Sequence, residues 1–379
     1  MKVCLISSVD VDMYDGSTVR PYYISKNLAR FGCEILHICT NPPGTEEENI
    51  TYLRKKYYKN KLWVVRTFKD IFRLYKECKE FSPDVIYAHQ ISNATRALPL
   101  KFLLKKPLVY DAHGSSVLEM GANPSISFYQ RAEMKMQEKK VLEIADQIIS
   151  PTNDLKTFFI ERFGISGEKI EVIEDGADLD LFTQIEPSIN KKEELGIFNN
   201  DKVVVFTCPR FVAQNEIALQ YFFDLIPTIE DRVKHIKFLI VGGGPELEPP
   251  SPNVIYTGFV HDLPSYINLA DVCIAPYPPS AMYGTSGAKN KVIEYFACGK
   301  PVVSTEEGIR GFDDAVPNRD FLLAKDSDDF VDKLVSVLED ENLSKKLSEN
   351  ARRFSLKYDW KELSKEVFKV LESVVNKEG

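Results

Sequence analysis

Residues 283–305 combine the features best suited to binding an anion. The segment opens with small residues, among them Gly284, Ser286 and Gly287, which let the backbone approach a ligand closely. An amphipathic helix is predicted to begin near Ala288, and its free N–H groups would face the small-residue loop. Loop and helix start together predict a phosphate or diphosphate site, and an ordinary solvated helix start is the alternative.

Three further residues of the same half of the chain fit such a site. Glu294 lies about two turns into the predicted helix, where its carboxylate can accept hydrogen bonds from sugar hydroxyls. Arg210 ends a predicted strand and has the guanidinium geometry to clamp a diphosphate with two donors. Gly243 lies in the run Gly242-Gly-Gly-Pro245 after another strand. That run predicts either a phosphate cradle or a plain turn, and it lacks the spacing of a dinucleotide-binding fingerprint.

Two histidines, His89 and His113, each end a predicted strand in the first half of the chain. Ligands of open α/β sheets bind beyond the C-terminal ends of the strands, so these histidines and Gly16 are expected to border one crevice. A satisfied structural role is the alternative for each histidine. The Asp-x-Asp pairs lie mostly in turn or helix-start contexts, where acids commonly act as caps, and no Cys/His cluster has zinc spacing. We therefore expect no metal site.

The stretch between Arg54 and Lys79 is strongly basic, although the formal net charge of the chain is −8. Its cations are interleaved with the aromatic residues Tyr57, Tyr58 and Trp63. Such a mixture suits an anionic membrane surface, which predicts peripheral association with the inner membrane face; a solvated helix face is the alternative. The acidic balance of the whole chain argues against nucleic acid as a partner.

The elements that position these residues repeat in two successive α/β halves. Short apolar strands alternate with helical segments over residues 1–175 and again over 176–358. With 379 residues the chain can form two Rossmann-like domains, which we expect to face each other across a cleft, and an amphipathic helix is predicted over 359–379. No apolar run approaches the roughly 20 residues of a membrane span. Single cysteines inside apolar runs indicate reduced core thiols and a cytoplasmic location.

Several motifs, in this order and spacing, resemble those of the retaining glycosyltransferases of family four. The matching segments run through nearly the whole chain and include Tyr110-Asp-Ala-His-Gly114, Val172-Ile-Glu-Asp-Gly-Ala-Asp178, Pro209-Arg210, Val241-Gly-Gly-Gly-Pro245 and Lys291-Val-Ile-Glu-Tyr-Phe-Ala-Cys-Gly-Lys-Pro301. The resemblance implies the GT-B fold and transfer of a hexose from a nucleotide-diphosphate sugar, with retention at the anomeric carbon. It implies a glycan or lipid-linked acceptor, no catalytic metal and no further cofactor.

The same resemblance implies roles for individual residues. Glu294 corresponds to the glutamate that holds the donor ribose, Arg210 to the diphosphate-binding arginine, and His113 to the histidine that reaches the transferred sugar. Gly16 falls in the loop that closes over the phosphates. The final helix is expected to return to the N-terminal domain.

Two positions depart from the family pattern. Ser286 stands where the family usually has a second glutamate, and Asn215 stands where many members have a lysine. We predict that Lys291 or Lys289 replaces the missing charge, so that Lys291→Ala weakens donor binding far more than Asn215→Ala. The departures keep open a nucleotide-sugar-binding relative without turnover. An epimerase acting on nucleotide sugars with the same fold is the other alternative.

Overall fold

A computed structural model describes residues 1–10, 16–44, 46–55, 63–121, 126–210, 213–245, 247–279 and 289–378. The chain divides into two compact units after Asp175. The first unit contains residues 1–175 and the C-terminal helix from Trp360, and the second contains the described residues between Gly176 and Asp359. Each unit is built on one parallel β-sheet, as the two alternating strand–helix series predict.

The sheet of the first unit has seven parallel strands in the order β3-β2-β1-β4-β5-β6-β7. They are β1 (Lys2–Ile6), β2 (Glu34–Cys39), β3 (Ile50–Arg54), β4 (Val85–His89), β5 (Leu108–Asp111), β6 (Gln147–Ser150) and β7 (Ile170–Val172). The central strands are almost continuous apolar runs, because helices cover both of their faces. Their C-terminal ends carry His89 and Asp111, which are Cα partners in the sheet.

Helices cover this sheet on two sides. The helices of the unit are α1 (Gly16–Arg30), α2 (Trp63–Phe81), α3 (Ile91–Leu104), α4 (Ser116–Gly121), α5 (Phe128–Ile144), α6 (Asn153–Phe163) and, from the end of the chain, α14 (Trp360–Glu378). α1 and α14 share one apolar core with the sheet, and Trp360 is fully buried there with its ring stacked on Tyr23. The core on the opposite face includes residues of α2, α3 and α5.

The sheet of the second unit has six parallel strands in the order β10-β9-β8-β11-β12-β13. They are β8 (Lys202–Thr207), β9 (Ile236–Val241), β10 (Val254–Gly258), β11 (Val272–Ala275), β12 (Val302–Thr305) and β13 (Leu322–Ala324). The helices are α7 (Ile189–Glu194), α8 (Ala213–Arg232), α9 (Leu263–Ile267), α10 (Asn290–Ala297), α11 (Glu306–Ile309), α12 (Ser327–Glu339) and α13 (Glu341–Ser355). One apolar core joins these elements.

The cysteines and the helix lengths complete the description. All seven cysteines are buried and free, in agreement with the core thiols expected from the sequence. Within the described ranges, no helix is long and apolar enough to cross a bilayer. The helix predicted from about Ala288 is described from Asn290, and residues 280–288 lie outside the described part of the chain.

Candidate functional site

The end of β8 and the glycine run after β9 pack directly against each other. Gly242 and Gly244 have positive φ values of 137° and 122°, which L side chains rarely adopt. A Cβ atom on Gly244 would lie 2.7 Å from the Cβ of Arg210, and one on Gly242 would lie 2.8 Å from the nitrogen of Pro209. The Arg210 N–H donates to the carbonyl of Gly243 at 2.8 Å. The glycines therefore allow an approach that other residues would block.

The guanidinium of Arg210 is buried and is held by neutral groups. Nε donates to the Pro245 carbonyl at 2.7 Å, and Nη2 donates to the Gly244 carbonyl at 3.0 Å. The guanidinium also lies over the ring of Tyr256, 4.6 Å from its centroid. Nη1 is buried and has no hydrogen-bond partner among the described residues. Two of the three nitrogens thus fix the side chain, and Nη1 remains available to a ligand.

A second cation, Lys291, is half-buried in the first turn of α10. Its ammonium donates to the hydroxyl of Tyr277 at 2.6 Å and to Oδ1 of Asn215 at 3.1 Å, and it lies 4.7 Å from the centroid of the Phe206 ring. Tyr277 in turn donates to Asn215 Oδ1 at 2.6 Å. Burial lowers the pKa of Lys291 to about 8. The lysine ammonium therefore lies against Asn215, the position where the family pattern has a lysine.

Lys289 and Glu294 flank this cation. Lys289 precedes α10, donates to Gln214 Oε1 at 3.2 Å and lies 5.3 Å from the centroid of the Tyr277 ring. Glu294 is only 6% exposed. Burial raises the pKa of its carboxyl to about 7, and the charge of Lys291 opposes that rise. The described residues offer this carboxylate no hydrogen-bond donor, so it can accept one from a ligand.

Asn215 links the two cations. Its side-chain nitrogen donates to the carbonyl of Pro209 at 2.8 Å, next to Arg210, while its oxygen accepts from Lys291. This fixes the orientation of the amide. The predicted loop residues Ser286 and Gly287 lie outside the described residues.

The two histidines of the first unit lie side by side. His89 ends β4, His113 follows β5, and their ring centroids are 5.7 Å apart in an edge-to-face arrangement. Both ring nitrogens of His89 and Nδ1 of His113 are buried without a partner among the described residues. Burial, and then the neighbouring His113, lower the pKa of His89 well below its usual value. His89 is therefore a neutral imidazole.

A buried ion network lies on the same sheet face as His89. Nε of Arg20 donates to both carboxylate oxygens of Asp111, at 3.1 and 2.9 Å. Nη1 donates to Asp175 at 3.1 Å and to the Glu174 carbonyl at 2.8 Å. The hydroxyl of Tyr87 donates to Asp111 as well. The network joins α1, whose first residue is Gly16, to the strand that leads to His113 and to the last residue of the unit before Gly176.

Comparison with known proteins decides the family. Residues 14–181 match the family described as Glycosyltransferase Family 4, and residues 201–340 match the family described as Glycosyl transferases group 1. The chain belongs to glycosyltransferase family 4. Its two parallel-sheet units are the two Rossmann-like domains of the GT-B fold.

Two relatives of this glycosyltransferase carry named activities. D-inositol 3-phosphate glycosyltransferase of Gordonia bronchialis is 26% identical over 223 residues, which are 53% of this chain and 46% of that protein. The chain thus aligns with less than half of that relative. N,N'-diacetylbacillosaminyl-diphospho-undecaprenol alpha-1,3-N-acetylgalactosaminyltransferase of Campylobacter jejuni is 26% identical over 81% of each chain.

Solved structures show the same fold over almost the whole glycosyltransferase. Sucrose-phosphate synthase of Thermosynechococcus elongatus superposes with a TM-score of 0.78 at 16% identity, over 98% of both chains. HepE of Anabaena, solved in complex with UDP-glucose, superposes with a TM-score of 0.73 at 16% identity, over 98% of this chain and all of that chain. At such identities the likeness shows the fold alone.

The structure brings together part of the site expected for this glycosyltransferase. At the C-terminal edge of the second sheet it groups Arg210, Gly243, Lys289, Lys291 and Glu294. Gly16 and His113 belong to the first unit. Within the described ranges, no cluster of His, Cys, Asp or Glu side chains could hold a metal ion.

Two residues of these clusters were missed from the sequence. Tyr277 is 1% exposed and holds both Lys291 and Asn215, and Arg20 is fully buried. A signal existed for Arg20, because it lies between Val19 and Ile24 on the face of α1 that enters the core. Tyr277 lies two residues after β11 and gave no sign of a polar role.

Proposed function

We propose that this glycosyltransferase moves a hexose from a nucleotide-diphosphate donor to a glycan or lipid-linked acceptor, with retention at the anomeric carbon. The second unit binds the donor and the first unit binds the acceptor. One observation carries the donor assignment. Arg210 is buried and Lys291 is half-buried, and neither forms an ion pair with a carboxylate among the described residues. Two cations at one sheet edge, both removed from at least part of their water and neither paired with a carboxylate, favour a ligand with a compact double negative charge.

The chemistry of the transfer fits these cations. The leaving nucleotide diphosphate gains negative charge as the glycosidic bond breaks, so fixed positive groups stabilise the transition state more than the ground state. Arg210 contributes the free Nη1, and Lys291 contributes an ammonium whose position is set by Tyr277 and Asn215. Since carbonyl, amide and phenol oxygens already hold both groups, little reorganisation is needed when charge develops.

Glu294 serves the nucleoside rather than the phosphates. Its buried carboxylate has no protein donor among the described residues, and a ribose hydroxyl supplies the hydrogen bond that it lacks. Lys291 replaces the family lysine that is absent at Asn215, because its ammonium reaches that side chain from the neighbouring helix. Lys289 adds a second positive charge near the start of α8.

The first unit contributes His113, which we propose contacts the transferred sugar, and Gly16, which begins the helix after the phosphate-closing loop. A lipid-linked acceptor is supported by the name of the Campylobacter relative, which acts on a diphospho-undecaprenol substrate. We further propose a cytoplasmic enzyme held peripherally at the inner membrane face through the basic stretch between Arg54 and Lys79, with no nucleic-acid partner. Positive charge from Arg210 and Lys291 supports transfer without a metal or other cofactor.

The test is a transfer assay with uridine, guanosine and adenosine diphosphate hexoses, run in a chelator and with undecaprenyl-diphosphate-linked and free glycan acceptors. Product formation with one donor, with the anomeric configuration of that donor kept by NMR, supports the proposal. Glu294→Ala should lose this activity. Donor binding without product would favour the binding-only relative, and conversion of the donor to its epimer would favour the epimerase.

A further inference from the structure

Helix α5 is buried at one end only. It has 17 residues, and the three that are buried, Glu138, Val141 and Leu142, all lie in its C-terminal half. No side chain of residues 128–137 is buried. Phe128 and Tyr129 are 79% and 83% exposed, and their rings form an edge-to-face pair with centroids 6.0 Å apart. The N-terminal half therefore presents two large aromatic side chains to its surroundings.

Local interactions keep this half of the helix folded. The Ser127 side chain accepts a hydrogen bond from the Gln130 N–H, and the Gln130 side chain accepts one from the Ser127 N–H, which makes a capping box. Capping alone contributes little to a helix without a packed face, since most helical stability in proteins comes from burial of such a face. Contiguous exposed apolar groups, such as this pair of rings, mark interaction sites.

The charges around these aromatic residues are mainly positive. The exposed charged side chains of α5 are the cations Arg131, Lys135, Lys139 and Lys140 and the acids Glu133 and Glu143. The remaining acid, Glu138, points inward and accepts hydrogen bonds from Ser115 and from the N–H groups of Ser116 and Val117. α5 packs on α3, and α3 packs on α2. The exposed residues of α2 whose side chains the structure describes are Lys69, Phe72, Lys76, Lys79 and the acid Glu80.

We propose that this α2–α3–α5 face docks on an anionic lipid bilayer, with Phe128 and Tyr129 in the interfacial layer and the lysines of α5 and α2 on the headgroups. The proposal rests on the membrane association proposed above for the stretch between Arg54 and Lys79, and it assigns the apolar part of the membrane contact to α5. Aromatic rings favour the membrane–water interface, and basic side chains add electrostatic attraction to anionic lipids.

Other occupants fit the face less well. A second copy of this chain would place one basic face against another, because a two-fold interface pairs the same patch with itself. A stable protein interface has a core poor in charge, whereas lysines and aromatic residues alternate here.

The N-terminal end of α5 lies at the end of the first unit that carries His113. In a parallel sheet each covering helix begins beside the C-terminal ends of the strands, so Phe128 lies at the same end as His113. Glu138 of α5 holds the segment that follows His113 through Ser115 and Ser116. Docking through α5 would therefore hold the His113 end of the unit at the bilayer, where a lipid-linked acceptor resides.

The experiment is co-sedimentation of the full chain with vesicles of phosphatidylcholine alone and of phosphatidylcholine with phosphatidylglycerol at 3:1. Wild type should bind the anionic vesicles, and more weakly as salt is raised from low to physiological levels. Lys135→Glu/Lys139→Glu should weaken binding by at least about tenfold. Phe128→Ser/Tyr129→Ser should weaken it by about tenfold as well. Sugar transfer is not needed for the readout, so a failed transfer assay leaves this test unaffected.

Matched control variants test whether vesicle binding depends on this face or on exposed charges and apolar side chains anywhere in the protein. Lys365→Glu/Lys369→Glu makes the same charge change on exposed positions of α14, on the other side of the sheet, and should change binding by less than about twofold. Phe198→Ser removes a side chain that is 68% exposed in the second unit and should have no effect. All four variants should have the same melting temperature as wild type, because the substituted side chains are exposed.

Four results would overturn the proposal. The first is binding to neutral vesicles that is as tight as binding to anionic vesicles and does not change with salt, and the second is no binding to either kind of vesicle. The third is a loss of binding in the α14 control as large as that in Lys135→Glu/Lys139→Glu. The fourth is a concentration-dependent dimer that Phe128→Ser/Tyr129→Ser abolishes. Binding of an RNA oligonucleotide as tight as that of anionic vesicles at physiological salt would reassign the face to nucleic acid. Loss of binding after reversal of Lys76 and Lys79 but not of Lys135 and Lys139 would confine the contact to α2.

Discussion

The two units bury positive charge in opposite ways. In the first unit, Arg20 is fully buried and pairs with two carboxylates, those of Asp111 and Asp175. In the second unit, Arg210 is buried and Lys291 is half-buried, but their hydrogen bonds go to carbonyl, amide and phenol oxygens. The first network thus carries its counter-charges in direct ion pairs within the protein, whereas the second has no such pair among the described residues and only the more distant charge of Glu294 near Lys291.

This difference separates a structural cation from a binding cation. Removal of a charge from water costs several kcal/mol, and a paired carboxylate offsets that cost within the folded protein. Where only neutral dipoles hold the cation, the offset is partial, and an anion that binds there supplies the rest. The pKa of Lys291, lowered to about 8 by burial, is the mark of this incomplete compensation.

The largest expected effect concerns stability of the first unit. Arg20→Met leaves Asp111 and Asp175 buried without their cation and should lower the free energy of unfolding by about 3–5 kcal/mol. Both tryptophans of the chain belong to the first unit, so tryptophan fluorescence during urea unfolding reports on it. Arg30→Met, at the exposed end of the same helix, is the control and should cost less than about 0.5 kcal/mol. Arg210→Met should not change the urea unfolding transition that tryptophan fluorescence reports. If it shifts that transition as much as Arg20→Met does, the proposed difference between the two units is wrong.

The second effect concerns the binding cation. Lys291→Met should weaken binding of the donor nucleoside diphosphate by about 1.5–3 kcal/mol, or roughly 10- to 150-fold, because a charge-assisted contact to phosphate is lost. Isothermal titration measures it. The free energy of unfolding should not fall comparably, since methionine avoids the desolvation of a half-buried ammonium.

A charge transplant sharpens that result. Asn215→Lys combined with Lys291→Met returns a lysine to the family position and should recover most of the lost affinity. Asn215→Ala should weaken binding less than Lys291→Ala does, and its residual effect reflects the loss of the oxygen that orients the ammonium. The opposite ranking of the two alanine variants would exclude Lys291 as the replacement charge.

The pH dependence of donor binding follows from the same lysine. The pKa of Lys291 is about 8 in the folded protein and its ordinary value is 10.5, so the ammonium loses its proton as pH rises through about 8. Affinity for a diphosphate should therefore fall by up to about tenfold between pH 7 and pH 9. The free energy of unfolding changes in the opposite direction. The cost of desolvating the Lys291 ammonium is complete below pH 8 and is relieved between pH 8 and 10.5, so the stability of the protein rises over that range. Lys291→Met should flatten both profiles, and an unchanged binding profile in that variant would assign the titration to another group.

The smallest expected effect belongs to Tyr277. Tyr277→Phe removes one neutral partner of the ammonium and should weaken donor binding by about 1 kcal/mol, or roughly fivefold. The same titration checks it. A loss as large as that of Lys291→Met would mean that the hydroxyl itself contacts the ligand.

The sequence predicted those parts of the structure that leave a local pattern. The apolar runs of the strands and the restart of the series after residue 175 were predictable, because buried strands and amphipathic helices have characteristic periodicities. The GT-B fold was predictable from the resemblance to family four. The idea that Lys291 stands in for a lysine at Asn215 came from the family pattern, and the 3.1 Å contact between them now supports it.

Other features depend on contacts that no local pattern reveals. Arg20 meets partners 91 and 155 residues away, and the chain has no local sign of such pairing. The exposure of Phe128 depends on how far α5 extends beyond its buried end, and the apolar residues of α5 do not follow a helical period that would show this. The loop that contains Ser286 and Gly287 stays a prediction, since it lies outside the described residues.

The most direct test of the binding cations is a thermal-shift screen of nucleoside diphosphates without metal, run in parallel on wild type, Glu294→Ala and Lys291→Met. A ligand that binds only the folded protein raises the melting temperature according to its affinity. We predict that one nucleoside diphosphate stabilises wild type, that Glu294→Ala abolishes the shift by removing the ribose contact, and that Lys291→Met reduces it. No shift with any nucleotide, or equal shifts in all three proteins, would contradict a donor site in the second unit.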